Sequence, residues 1–186
     1  MRIISGNLKG KKISIPKDNL TRPLRDLVKE SIFNLIKHSN KFDCEINKAN
    51  ILDLFSGTGS FGIECISRNA KKVTFIENYK KALEILEKNI KILKIEKKTK
   101  IVNQNCFDFF NIKKNFNEKF NIIFMDPPYK EEKINTIINY IKENKVLEKK
   151  GILIIHRHKR DNILLSDNLN ILDERVYGIS KIIICN

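Results

Sequence analysis

Hydrophobic positions recur along this chain in two rhythms, and the switch between them near residue 50 divides it. Before the switch, Ile3-Ile4 and Lys11 to Ile15, separated by Gly6 and Gly10, read as a small β-hairpin whose Ile13 and Ile15 alternate with polar neighbours. Leu24, Leu27, Val28, Ser31, Ile32, Leu35 and Ile36 then fall at helical spacing, predicting an amphipathic helix over 24–38 that Pro23 is placed to start. The polar residues 39–49 form a connector. From Asn50 short apolar runs alternate with amphipathic stretches. Strands are predicted at 51–55, 72–77, 100–103, 121–125 and 151–156, and helices at 60–68, 79–93 and 131–144. Parallel strands have to be joined by crossovers, so this order calls for a mostly parallel sheet covered on both faces. Residues 169–176 and 180–185, flanking Tyr177-Gly178, complete it as an antiparallel pair. The expected layout is a hairpin-and-helix extension over 1–40 and an α/β domain over 41–186.

Charge adds a partner to this outline. The 186 residues carry a net charge of +14, which points to a polyanion such as nucleic acid. A general richness in Lys, Asn and Ile also fits a compositional bias, so local clustering carries more weight than the total. Lys9, Lys11 and Lys12, joined by Arg2, Lys17, Arg22 and Arg25, gather around the glycine-containing turn and are the expected phosphate contacts. No apolar run reaches the length of a membrane span and no signal-peptide pattern opens the chain, so a soluble, cytoplasmic protein is expected. Cys44, Cys65, Cys106 and Cys185 are scattered and show no metal-ligand spacing with His38, His156 or His158. Neither a metal site nor a disulfide framework is expected.

Candidate chemistry sits where strands meet loops. The first parallel strand runs into Gly57-Thr58-Gly59-Ser60-Phe61-Gly62, a G-x-G-x-x-G pattern between a strand and a helix. Glu77 closes the next strand twenty residues after Gly57, where a carboxylate can accept bonds from both ribose hydroxyls of a nucleoside cofactor. The spacing suits a nicotinamide dinucleotide as well as S-adenosylmethionine. Three features favour the latter: the acid Asp53 in Asp53-Leu54-Phe55 just before the loop, the Asp126-Pro127-Pro128-Tyr129 loop after the fourth strand, and the charge excess. Asp53 suits a methionine ammonium group or its water network, and a pyrophosphate has no use for it. At the end of the third strand, the Asn105 side chain and the Cys106 backbone N–H are candidate partners for an adenine ring, while the Cys106 thiol reads as a small buried hydrophobe. Two prolines remove two N–H donors and fix φ, so the fourth strand stops at Asp126 and leaves a stiff platform of acceptors and one ring.

Read in order, RIISGNLKGKKI, TRPLRDLVKESIFNLI, ILDLFSGTGSFGIECISRNA, FMDPPY and YGISKIII resemble the bacterial 16S ribosomal RNA guanine-N2 methyltransferases of the RsmD type over nearly the whole chain. The resemblance implies a Rossmann-like class I methyltransferase fold, with seven strands, an antiparallel C-terminal strand and a small N-terminal extension. It implies S-adenosylmethionine as cofactor and one guanine of 16S RNA as substrate, free or within an assembled or assembling 30S subunit, and a monomer is expected. Asp53, Phe55, Gly57 and Gly59 match the family's first cofactor motif, Glu77 its ribose acid, and Asn105-Cys106 its adenine contact. Asp126, Pro127, Pro128 and Tyr129 match its catalytic motif, in which the Asp126 carboxylate and the Pro127 carbonyl hold the amine and Tyr129 stacks on the base. Leu24, Asn105 and His156 depart from the usual pattern, where Thr, Asp and Glu are common. Methylation of adenine N6, a nicotinamide oxidoreductase and a non-catalytic RNA-binding module remain as alternatives, and titration with S-adenosylmethionine separates a methyltransferase from the last two.

Overall fold

The computed structural model describes residues 1–16, 24–112, 118–128, 131, 133–161 and 169–186. Its elements run α1 (Asp26–His38), β1 (Asn50–Leu54), α2 (Ser60–Ser67), β2 (Lys72–Glu77), α3 (Lys80–Leu93), a short 3-10 turn (Glu96–Lys98), β3 (Thr99–Asn103), α4 (Cys106–Ile112), β4 (Phe120–Met125), α5 (Ile134–Glu143), β5 (Leu147–His158), β6 (Ile171–Tyr177) and β7 (Ser180–Cys185). The strands form one sheet in the order β3-β2-β1-β4-β5-β7-β6. Pairings from β3 through β5 are parallel, and β7 runs antiparallel between β5 and β6. None of the described helices is long and apolar enough to cross a membrane.

Near-continuous apolar runs in β1, β4 and β5 follow from burial on both faces. Ile51, Ile122, Phe124, Ile152, Ile154, Ile182 and Ile184 meet side chains of α1, α2 and α3 on one face. Leu52, Leu54, Ile123, Met125, Leu153 and Ile155 meet Phe109, Phe110 and the isoleucines of α5 on the other. On the first face Phe33, Phe61 and Phe124 stack in series, with centroids 5.2 and 4.1 Å apart, linking α1 through α2 to β4.

The predicted elements occur in the predicted order, but α4, between β3 and β4, was not among them, and there are local corrections. The amino-terminal hairpin is reduced to a single antiparallel bridge, Arg2 with Lys12, and Ile15 is 42% exposed where alternation predicted burial. In α1 the buried stripe is Val28, Lys29, Ile32, Phe33 and Ile36, while Leu27, placed in the stripe by spacing, is 68% exposed. Lys29 displaces it because its ammonium has a partner that no apolar residue has. Lys29 Nζ donates to the Arg2 carbonyl at 3.0 Å and lies 3.8 Å from the Glu64 carboxylate of α2. Burial pulls the Lys29 pKa down, and the Glu64 and Asp26 carboxylates oppose it. Glu64, itself fully buried, also accepts from the backbone N–H groups of Ile4 and Ser5 at 2.8 and 2.9 Å and from Arg68 Nε at 3.1 Å. One carboxylate thus ties the amino-terminal arm, α1 and α2 together.

Removing that carboxylate leaves a buried ammonium and two backbone donors without it. Glu64→Ala is expected to lose ~3–5 kcal/mol of unfolding free energy in urea titration, and Glu64→Gln, which keeps an acceptor oxygen, distinctly less.

Candidate active site

Strand register builds the site. Leu54 is paired with Ile76 and Met125, Met125 with Ile155, and Glu77 with Asn103. The next position on each strand therefore forms a row across the carboxyl edge: Asn103, Glu77, Phe55, Asp126 and His156. Open parallel sheets bind ligands at this edge.

Around Glu77 the glycine loop is fastened by backbone donors. Glu77 Oε2 accepts from Gly57 N at 2.7 Å, and Oε1 from Asn78 N and Tyr79 N at 2.8 Å each. A carboxylate has about four acceptor positions, so Glu77 is held in a fixed orientation and retains capacity for a hydroxyl. Phe55 takes up a left-handed φ of 55°, uncommon for an aromatic residue, and its N–H reaches Cys106 Sγ at 3.3 Å. Gly59 has φ 81°, and a Cβ there would lie 2.4 Å from Leu86 Cδ1, while a Cβ on Gly62 would meet the Phe75 ring at the same distance. These glycines are required by close helix packing beneath the loop as well as by the turn.

Asp53 sits below the loop, 1% exposed, with Oδ2 accepting the Gly62 N–H at 3.0 Å. Burial raises its pKa well above the ordinary carboxyl value. The Gly62 bond opposes this, and the charges of Asp126 and Glu77 add to it. Glu77 and Asp126 thus stand near enough for their charges to bear on Asp53, at an edge where a cation is favoured and a pyrophosphate is repelled. The Cys106 thiol is buried and its pKa is pushed up by desolvation, in keeping with a packing role. Asn105 caps α4 by accepting the Phe107 N–H at 2.8 Å on its Oδ1, which spends one lone pair of the acceptor expected to meet adenine.

The loop after β4 is held from β5. Asp126 Oδ1 lies 2.7 Å from His156 Nδ1. The Pro128 carbonyl accepts from Arg157 Nη1 at 3.0 Å, the Glu131 carbonyl from Nη2 at 3.1 Å, and the guanidinium is paired with Asp161. Tyr129, Arg22 and Lys17 lie outside the described residues. The basic residues Arg2, Lys9, Lys11, Lys12 and Arg25 are exposed on the arm and just before α1. Asn89 of α3 links that arm to the glycine loop: its Oδ1 accepts Ser14 N at 2.9 Å, and its Nδ2 donates to the carbonyls of Ser14 and Thr58 at 3.1 and 3.2 Å. Spacing gave no warning of Asn89 or Arg157. A polar residue on the apolar side of α3 and an ionic pair closing β5 were the available signals.

A seven-stranded sheet with its last strand inserted antiparallel, a glycine loop after the first strand and an acid-Pro-Pro turn after the fourth together define a class I methyltransferase. Along its whole length, residues 1–186, the chain matches the family model described as Conserved hypothetical protein 95, and it belongs to that family. It is 33% identical to Ribosomal RNA small subunit methyltransferase D of Haemophilus influenzae, over 96% of this chain and 90% of the relative. With the protein of the same name from Escherichia coli K12 it shares 30% identity over 96% of this chain and 85% of the relative. A solved structure from Escherichia coli superposes with a TM-score of 0.83 at 27% identity, covering 100% of this chain and 96% of that one.

The buried Asp53 gives a pH test. In the folded protein its carboxyl resists ionisation, whereas in the unfolded chain it ionises near the ordinary aspartate value of about 3.9. The folded state thus holds the proton more tightly, and Asp53 erodes stability as pH rises above that value. Asp53→Asn keeps an acceptor for Gly62 and removes the ionisation. It is expected to melt higher than the wild type at pH 7, with the difference shrinking toward pH 4.

Proposed function

We propose that this methyltransferase transfers a methyl group from S-adenosylmethionine to the exocyclic N2 amine of a guanine in small-subunit ribosomal RNA. The observation that carries the reading is Asp126, which follows the end of β4 in the same row as Phe55 and Glu77 and near enough to Asp53 for its charge to act there. The names of the Haemophilus influenzae and Escherichia coli relatives support the RNA class.

The residues fit this donor. Sulfonium and ammonium groups are cationic, and the Glu77 and Asp126 carboxylates stand in the row at the edge where they would lie; a dinucleotide would bring its pyrophosphate to the same carboxylates. Glu77 would hold the ribose hydroxyls, Asn105 and the Cys106 N–H the adenine, and Asp53, acting through the Gly62 N–H, the shape of the loop. When bound, the donor supplies a methyl carbon that the amine nitrogen attacks, the N–C bond forming as the C–S bond breaks and sulfur keeps the electron pair.

The chain's own part is to orient that amine. Its lone pair is delocalised into the guanine ring. Two acceptors, the Asp126 carboxylate and the Pro127 carbonyl, taking its two N–H bonds turn the lone pair toward the methyl group. Pro127 is buried and Pro128 exposed, so the loop is anchored on one side and open to the base on the other. Asp126 accepts the proton that the methylated nitrogen sheds. Tyr129 supplies a ring for the extruded base, a contact worth roughly 1–3 kcal/mol. Arg2, Lys9, Lys11, Lys12, Arg22 and Arg25 neutralise RNA phosphates.

Asp126→Ala is expected to lower methylation of small-subunit RNA by ~100-fold or more, while calorimetry still detects S-adenosylmethionine binding; a fully active variant overturns the assignment. Replacing Lys9, Lys11 and Lys12 together by Glu should weaken RNA binding and reduce the slope of log K against log salt by about 2. An unchanged slope removes the arm from the interface.

A further inference from the structure

Consecutive residues of a strand point to opposite faces, and His156 and Arg157 of β5 use this to straddle the loop that follows β4. Ile152, Ile154 and His156 share the face covered by α1 and α2; Leu153, Ile155 and Arg157 share the face covered by α4 and α5. From the first face His156 meets the Asp126 carboxylate, and from the second Arg157 takes the carbonyls of Pro128 and Glu131. Both are buried, His156 at 6% and Arg157 at 3% exposure, while the Asp126 side chain is 22% exposed. The carboxylate is therefore gripped on its inner side and open on its outer side.

We propose that His156 is a positioning residue for methyl transfer. It donates its Nδ1–H to Asp126 Oδ1, which pins the carboxylate so that Oδ2 faces the substrate amine. The inference rests on the reading of Asp126 as the amine's acceptor and adds to it how that acceptor is aimed. A lone carboxylate on a strand end rotates about its terminal torsion and offers either oxygen in many directions. With Oδ1 held at 2.7 Å by a buried ring, one oxygen remains to take the N–H and, after the N–C bond forms and the C–S bond breaks, the proton lost by nitrogen. Donation from Nδ1 fixes the tautomer, because an ionised Asp126 can only accept. Arg157 performs the complementary task on the backbone. By holding the Pro128 carbonyl it sets the plane of the turn in which the Pro127 carbonyl, the second acceptor, lies.

Two measurements test this. In the unsubstituted protein, 15N spectroscopy of the imidazole should show a protonated Nδ1, and the Nδ1–H signal should be lost or move upfield in Asp126→Ala. A bare Nδ1 in the wild type, meaning that Asp126 holds the proton, overturns the proposal without any variant. In kinetics, His156→Phe should lower kcat about 10- to 100-fold with KM for RNA and affinity for S-adenosylmethionine little changed. His156→Asn, whose side-chain amide can donate to the same oxygen, should recover part of the loss. Wild-type kcat in His156→Phe, with Asp126→Ala inactive, sinks the role of His156 alone; an active Asp126→Ala sinks the reading beneath it.

Discussion

Parallel pairing with an even register is the constraint on which this molecule depends. β3, β2, β1, β4 and β5 run the same way, so their register brings to the carboxyl edge a row drawn from five distant parts of the sequence. No single motif contains the site, because Glu77, Phe55, Asp126 and His156 become neighbours only through backbone hydrogen bonds made deeper in the sheet. Side chains alternate along a strand, so a slip of one residue in any pairing turns that strand's contribution to the opposite face. Burial of both faces by isoleucine-rich strands resists such a slip, and the precision of the site is inherited from the core.

The amino-terminal arm is built into this frame. Ile3 and Ile13 belong to the same apolar cluster as the sheet, Glu64 takes two of the arm's backbone donors, and Asn89 fastens Ser14 to the Thr58 carbonyl of the glycine loop. The exposed basic residues of the arm therefore ride on a support shared with the loop proposed to hold the methyl donor. The surface proposed to grip phosphates and the loop proposed to grip a nucleoside are fixed relative to each other by buried polar contacts, each of which is expensive to break singly.

Much of this was legible in the residues, and the limits were physical. The alternation of apolar runs and amphipathic stretches located the strands and the order of the layers, because burial on both faces leaves an unambiguous apolar signature. The glycine loop, Glu77 and the Asp-Pro-Pro turn were visible since each has a backbone requirement that few residues meet. Lys29 in the buried stripe of α1 was not, because an ionic contact with Glu64, far along the sequence, leaves no periodicity. α4 was missed because its run of seven residues is too short for a helical pattern, although Asn105 is an ordinary helix cap. The same cap was read as a ligand, which shows how one polar residue at a strand end serves two descriptions. His156 stood out only as a departure from a resembled family, and its meaning came from the distance to Asp126.

β7, the last strand in sequence, occupies an interior place in the sheet, between β5 and β6. Ile182 of β7 is the antiparallel partner of His156, so the residue against Asp126 is flanked by backbone that leaves the ribosome after everything else in the site. While the chain is being made, β5 has an open edge on that side, a template for wrong pairing until β7 arrives. An enzyme proposed to modify ribosomal RNA is thus assembled in an order that withholds its finished site until synthesis has run past every residue that forms it.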